Sequence, residues 1–244
     1  MVGKFLYCAL FSAGTALAQG GFSVELEGGP FWTSRNEVRI PGDTGTKFLF
    51  TDLIGKGPEP WFRVYLNWDI NEKHRLGGLL APLEASRVGT LSQPVNFTGR
   101  VFAPGVPTEA IFEFNTWRLG YRYTFFNSQK WLLRVGATAF VRDARVELRQ
   151  RDTTGVKTDV GVVPLAAFSG RYNFTPRTHL LFDFEGLAAP QGRALDGAVK
   201  LAYDLTDHLR IGIGYRTLEG GVDNDEVFNF TWIHYAMGSI EYRF

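Results

Sequence analysis

The side chains best equipped for chemistry in this 244-residue sequence are its carboxylates and its four histidines. Asp223, Asp225 and Glu226 lie together in GGVDNDEVF, and carboxylates two residues apart could hold a calcium ion, which takes oxygen ligands. The full calcium-loop pattern is missing, so a solvated turn competes with that reading, because Gly, Asp and Asn favour turns for backbone reasons. His234 sits in an apolar run beside Trp232 and Tyr235, whereas His74, His179 and His208 fall in or near short turns. No Gly-x-Ser-x-Gly, phosphate loop, dinucleotide fingerprint or zinc spacing is present, and no cofactor is expected.

A larger set of charges recurs at every second position. Arg63, Arg118, Arg122, Arg134, Arg142, Arg171, Arg210, Arg216, Arg243 and Lys200 face the same way as Glu25, Glu27, Asp69, Asp159, Asp183, Glu185, Asp196, Asp204 and Glu241. The signs nearly balance. Gathered in one interior, they would form either an ion-paired network that rigidifies it or the lining of a narrow solute path, and unpaired buried charge is costly enough to favour pairing.

Only one kind of element places charges in this way. The last stretch, Val227 to Phe244 (VFNFTWIHYAMGSIEYRF), carries mostly apolar even positions and polar Asn229, Thr231, Ser239, Glu241 and Arg243 at odd ones. A period of two over such a length puts one face in an apolar medium and the other in a polar one, as a membrane-spanning β-strand requires. The same alternation marks Phe22 to Thr33, Phe62 to Ile70, Trp131 to Arg142, Asp159 to Asn173, His179 to Glu185, Leu195 to Asp204 and Leu209 to Arg216. Arg75 to about Arg87 is Gly- and Leu-rich on both faces, so its facing stays open. Between Phe112 and Thr124 the parity of the apolar residues changes, which predicts a β-bulge near Asn115 or Thr116.

Long connections are expected over 35–58, Val88 to Thr108, Arg149 to Thr158 and Glu219 to Glu226, with KFLFTDL extending a hairpin inside the first. Short turns fall at Asn71 to His74, Asn127 to Lys130, Thr175 to Arg177 and Leu205 to His208. The count is ten strands, with eight or twelve as alternatives, in an all-β, single-chain antiparallel transmembrane β-barrel. Aromatics predict two girdles, Trp68, Trp131, Tyr172, Tyr203 and Tyr242 below and Trp32, Phe62, Phe112 and Phe230 above. A soluble lipocalin-like barrel is the structural alternative and would turn its apolar face inward.

Two domains' worth of roles divide the chain. Lys4, the apolar run Phe5 to Ala18 and the Ala16-Leu17-Ala18 pattern predict a signal peptide over 1–18, cleaved before Gln19, with a barrel over 19–244. Cys8, the single cysteine, lies in that leader, so disulfide and thiol chemistry are not expected of the mature chain. Removing Lys4 leaves 25 basic against 25 acidic residues, and no Lys/Arg cluster marks a nucleic-acid footprint.

The leader, the alternation and the terminal Ile240, Tyr242 and Phe244 resemble the small Gram-negative outer-membrane β-barrel proteins typified by the transmembrane domain of outer-membrane protein A and by the OmpW group. That resemblance implies export, insertion by the barrel-assembly machinery with Ile240, Tyr242 and Phe244 as the signal, contact with outer-membrane lipid and lipopolysaccharide, and a monomer. Ten strands also resemble the omptin proteases in shape, but their paired-Asp and Asp-x-His arrangements are missing. Outer-membrane phospholipase and lipid A deacylases keep a His and a Ser near the lipid face; none of their motifs appears, and His234 is expected at headgroup level. A ten-stranded lumen filled with long charged side chains should be largely occluded. The leading expectation is therefore a structural, surface-exposed barrel without enzymatic activity, followed by a narrow channel for small or hydrophobic solutes and then by a lipid- or protein-modifying enzyme.

Overall fold

The structure is a computed structural model that describes residues 21–190 and 192–244; the expected leader at 1–18 lies outside the described residues. In chain order the elements are β1 (Gly21–Arg39), β2 (Phe48–Leu49), α1 (Thr51–Ile54), β3 (Glu59–Asp69), β4 (His74–Ala81), β5 (Glu84–Thr90), β6 (Val95–Phe97) and β7 (Arg100–Phe102). Then come the long β8 (Pro107–Asn127), β9 (Trp131–Gln150) and β10 (Thr153–Asn173), followed by β11 (Thr178–Ala189), β12 (Gly192–Asp204), β13 (Leu209–Asp223) and β14 (Phe228–Arg243). Neighbours pair antiparallel, and β14 closes on β1 from Ser23↔Arg243 to Arg39↔Phe228. β5 continues β4 along β8 after a break at Pro82 and Leu83, and β2 is a short addition to β1. Ten staves therefore form a closed barrel with no free edge in its lower half.

The wall obeys the alternation. Phe22, Leu26, Phe62, Leu66, Val199, Ile213, Ile240 and Tyr242 are exposed on the outside, while Ser23, Glu27, Arg63, Lys200, Arg210, Ser239 and Glu241 are buried within. An apolar exterior around a charged interior is the inverse of a soluble barrel and suits hydrocarbon, where every backbone polar group must be paired inside the sheet. At 20 and 21 residues, β9 and β10 are about twice the 9–11 residues needed to span a bilayer. The outer ends of β8, β9 and β10 thus stand above the membrane.

There the inside changes character. Phe31, Val38, Ile40, Phe50, Leu53, Val95, Phe97, Phe102, Phe112, Leu148, Ile233 and Tyr235 pack as one buried apolar cluster. It is built from the upper strand ends and from the segments after β1 and β5, which fold into the barrel mouth. Four expectations are corrected. β8 pairs with β9 in unbroken register from Glu109↔Arg149 to Thr124↔Arg134, so no bulge lies at Asn115 or Thr116; the irregularity falls between Thr124 and Phe126. Phe112 points into the cluster at 3% exposure and belongs to no girdle. The side chains never changed sides: the medium did, water being outside and apolar core inside above the membrane. The expected loop at Arg149 to Thr158 is mostly strand, because β9 and β10 pair up to Gln150↔Thr153. The expected hairpin in KFLFTDL is reduced to the β2 pairing Glu37↔Leu49 and Val38↔Phe48, followed by the single turn α1.

Candidate lumen site

Below the apolar cluster the inward side chains meet across the lumen. Asp196 of β12 is the hub: its Oδ2 accepts from Arg63 of β3 at 3.0 Å and Arg118 of β8 at 2.8 Å, and its Oδ1 from Arg216 of β13 at 2.7 Å. Arg118 also reaches Glu185 of β11 at 2.6 Å, and Glu185 pairs with Arg122 and accepts from the Thr138 hydroxyl at 2.6 Å. On the other side Arg216 bonds Glu27 at 3.3 Å and donates to the Tyr65 hydroxyl at 2.8 Å. Lys200 pairs with Glu25 and, at 3.0 Å, with Glu27. Asp183 lies 3.9 Å from Arg122. Five cations (Arg63, Arg118, Arg122, Arg216, Lys200) thus face five carboxylates (Glu25, Glu27, Asp183, Glu185, Asp196) in one layer. Neutral closure across strands is what makes such burial tolerable, since an ion left alone there would be strongly destabilising.

Toward the end that carries the chain terminus the lumen widens into a polar vestibule of about 340 Å³. Asp204 collects Arg210 at 2.6 Å, Arg243 at 2.8 Å and His179 at 3.0 Å. Glu241 meets Arg210 at 3.2 Å, and Asp69 binds Arg75 and, at 3.5 Å, Arg134. Arg171 lines the vestibule with no ion pair among the described residues. Above the layer is a second cavity of about 250 Å³, walled by Val163, Leu165, Leu187, Leu218 and Ile233 and floored by Arg118 and Asp196.

The sequence-derived interior set therefore separates into two neighbouring groups, the ten-membered layer and the vestibule residues Asp69, Arg134, Arg171, Asp204, Arg210, Glu241 and Arg243. Arg142 and Asp159 pair with each other higher up, apart from both. Parity placed Tyr65 and Thr138 inward but did not reveal their hydrogen bonds, and Arg75 was missed because its strand is Gly-rich on both faces. The calcium candidates do not converge. Asp223 turns to Arg39 at 3.9 Å and Glu226 to Lys157 at 3.3 Å, and among the described residues no three potential ligands gather as a metal site.

On the outer wall, His234 lies beside Trp232 as expected, while Tyr235 points inside. Its Nε2 is 2.8 Å from Ser34 Oγ and its Nδ1 2.6 Å from the Tyr215 hydroxyl. Ser34 owes its position to the register shift between Thr33 and Arg35, a bulge that re-aims the strand. Above this trio, Arg35 and Arg193 lie over the Phe230 ring and Arg39 and Lys47 over that of Phe228.

Fold and lumen define an antiparallel transmembrane β-barrel of the outer-membrane class. No protein-family profile and no curated protein sequence matches the chain. Among solved structures it is similar to the outer membrane protease OmpT from Escherichia coli, with a TM-score of 0.56 and 11% identity over 92% of this chain and 97% of that one. The attachment invasion locus protein Ail of Yersinia pestis aligns with a TM-score of 0.43 and 11% identity over 93% of this chain and 99% of that one. At such identities the likeness concerns the fold.

Proposed function

We propose that the protein is a structural, surface-exposed outer-membrane barrel, without enzymatic activity, whose lumen is closed to ions. The observation that carries this reading is the layer centred on Asp196, which ties β3, β8, β12 and β13 together across the interior. The barrel is read as a monomer, delivered by a leader over 1–18 and inserted by the barrel-assembly machinery through Ile240, Tyr242 and Phe244. The same reading assigns lipid contact to the apolar belt and lipopolysaccharide to the collar of Arg35, Arg39, Lys47 and Arg193, whose Phe230 and Phe228 seats hold it just above that belt. The test is to express the full chain in a Gram-negative host, recover it from the outer-membrane fraction with heat-modifiable gel mobility, and record currents in a planar bilayer. Silence is expected of the folded protein. Discrete, reproducible conductance steps would show an open path and make the arginines its selectivity residues.

One observation favours a second reading, an esterase working at the outer interface. Ser34, His234 and Tyr215 form a hydroxyl–imidazole–hydroxyl chain in which Nε2 can take the serine proton while Tyr215 fixes the ring, the relation a nucleophile and its base require. Labelling of Ser34 by a fluorophosphonate, lost in Ser34→Ala and in His234→Gln, would support it. A folded protein that takes no label would remove it.

A further inference from the structure

The hairpins β9–β10 and β11–β12 separate in the outer half of the barrel. β10 pairs with β9 along its whole length, from Thr153↔Gln150 to Tyr172↔Trp131. With β11 it pairs only from Ala166↔Gly186 down to Asn173↔His179. Above that point β10 has a partner on one side alone, and Leu187–Ala189 of β11 pair only with β12. Pro164 stands two residues beyond the last paired position, and proline, which lacks a backbone donor, belongs at strand edges. The wall is split here, and the split begins within the apolar belt, because Val162 and Val160 beside it on β10 are each 68% exposed.

Behind the split lies the cavity of about 250 Å³. Val163 and Leu165 from one lip and Leu187 and Ala189 from the other line it, and Leu218 and Ile233 form the far wall. Leu187 alternates inward with Asp183 and Glu185 yet is 40% exposed, so the cavity reaches the split. Its charged lining is already engaged: Arg118 and Asp196 by the ion-pair layer, Arg142 by Asp159, and Arg193 by Glu219. The ion-pair layer closes the floor.

We propose that this cavity is a binding site for a small uncharged hydrophobic molecule that enters sideways through the β10–β11 split from the outer leaflet. It rests on the reading of the barrel as membrane-spanning. An apolar cavity of about 150 Å³ already admits benzene, so the volume suits a molecule of one or two rings. Apolar walls with their charges paired elsewhere give a charged ligand no counter-ion. The acyl chain of a resident lipid fits poorly, because it runs from the headgroup toward the bilayer midplane, whereas the cavity lies at and above the uppermost β10–β11 pair.

The test uses the full-chain protein, purified from membranes, placed in lipid nanodiscs and carrying labelled Leu and Val methyl groups, with naphthalene as the probe. Saturable shifts of the Leu165 and Leu187 methyls are expected. Leu187→Trp and, from the opposite wall, Leu218→Trp should each weaken binding at least tenfold while heat-modifiable mobility persists. No saturable shift in the folded barrel would overturn the proposal, as would methyl shifts that track lipid chain length without probe, which would mark an acyl chain as the occupant. Loss of heat-modifiable mobility in the unaltered protein would instead overturn the membrane-barrel reading, and the site with it.

Discussion

Arg63 and Asp196 meet 3.0 Å apart across the lumen, 133 residues distant in sequence and each 3% exposed. A contact so remote along the chain forms only when the staves have closed, so the pair reports on closure itself. Asp196→Ala would leave Arg63, Arg118 and Arg216 without their shared counter-ion and should destabilise the barrel by about 3–5 kcal/mol, the usual effect of breaking a buried pair. Urea unfolding in micelles measures this, and the double variant with Arg63→Ala should lose less than the sum of the singles. A loss under about 1 kcal/mol would be the behaviour of a solvated surface pair instead.

Phe50, fully buried beneath the first long connection, anchors that segment inside the barrel mouth against Phe48 and Phe112. Phe50→Ala should cost about 3–5 kcal/mol of local stability. Limited proteolysis should then cut within 41–58 while the membrane-embedded staves stay intact. Equal resistance in both proteins would show that the segment is held by something other than this ring.

Glu37, above the apolar belt, is held below the usual carboxylate range chiefly by the hydrogen bond from Arg35, with Lys47 adding to it. A depressed carboxyl stabilises the folded form at neutral pH, and that contribution disappears as pH falls through its lowered folded-state value. Proteolytic cutting near Lys47 should therefore rise in acid. Glu37→Gln should show the higher cutting already at pH 7 and a flatter pH profile; an unchanged profile would detach the effect from Glu37.

Phe244 packs on Phe22 and Tyr242 at the closing seam. Deleting it should reduce the assembled fraction in cells severalfold, while refolding of urea-dissolved protein into micelles changes little. Equal losses in both assays would make Phe244 a packing residue and not a signal to the assembly machinery.

Period-two alternation carries most of the architecture in this chain, because the exterior belt and the charged interior impose opposite demands on neighbouring residues. It could place Arg63, Glu185, Asp196 and Arg216 on one face, but not say which of them touch, since partners across a lumen depend on register between strands far apart in sequence. It misread Phe112 because the rule linking parity to side holds only while the media stay the same. Pro164, in the middle of VGVVPLAAF, was the one local sign of the split wall, a proline inside a strand pattern. The Ser34–His234 contact had no such sign, arising from a one-residue register shift.

The segments after β1 and β5, drawn into the mouth of the barrel, also decide what a neighbouring cell, phage or antibody encounters. Instead of long flexible peptides, the outward face offers the rims of β8, β9 and β10 and the few residues that seal the apolar cluster. Recognition of this surface would read a three-dimensional shape assembled from distant parts of the chain, and antibodies raised against the folded protein would fail on denaturing blots.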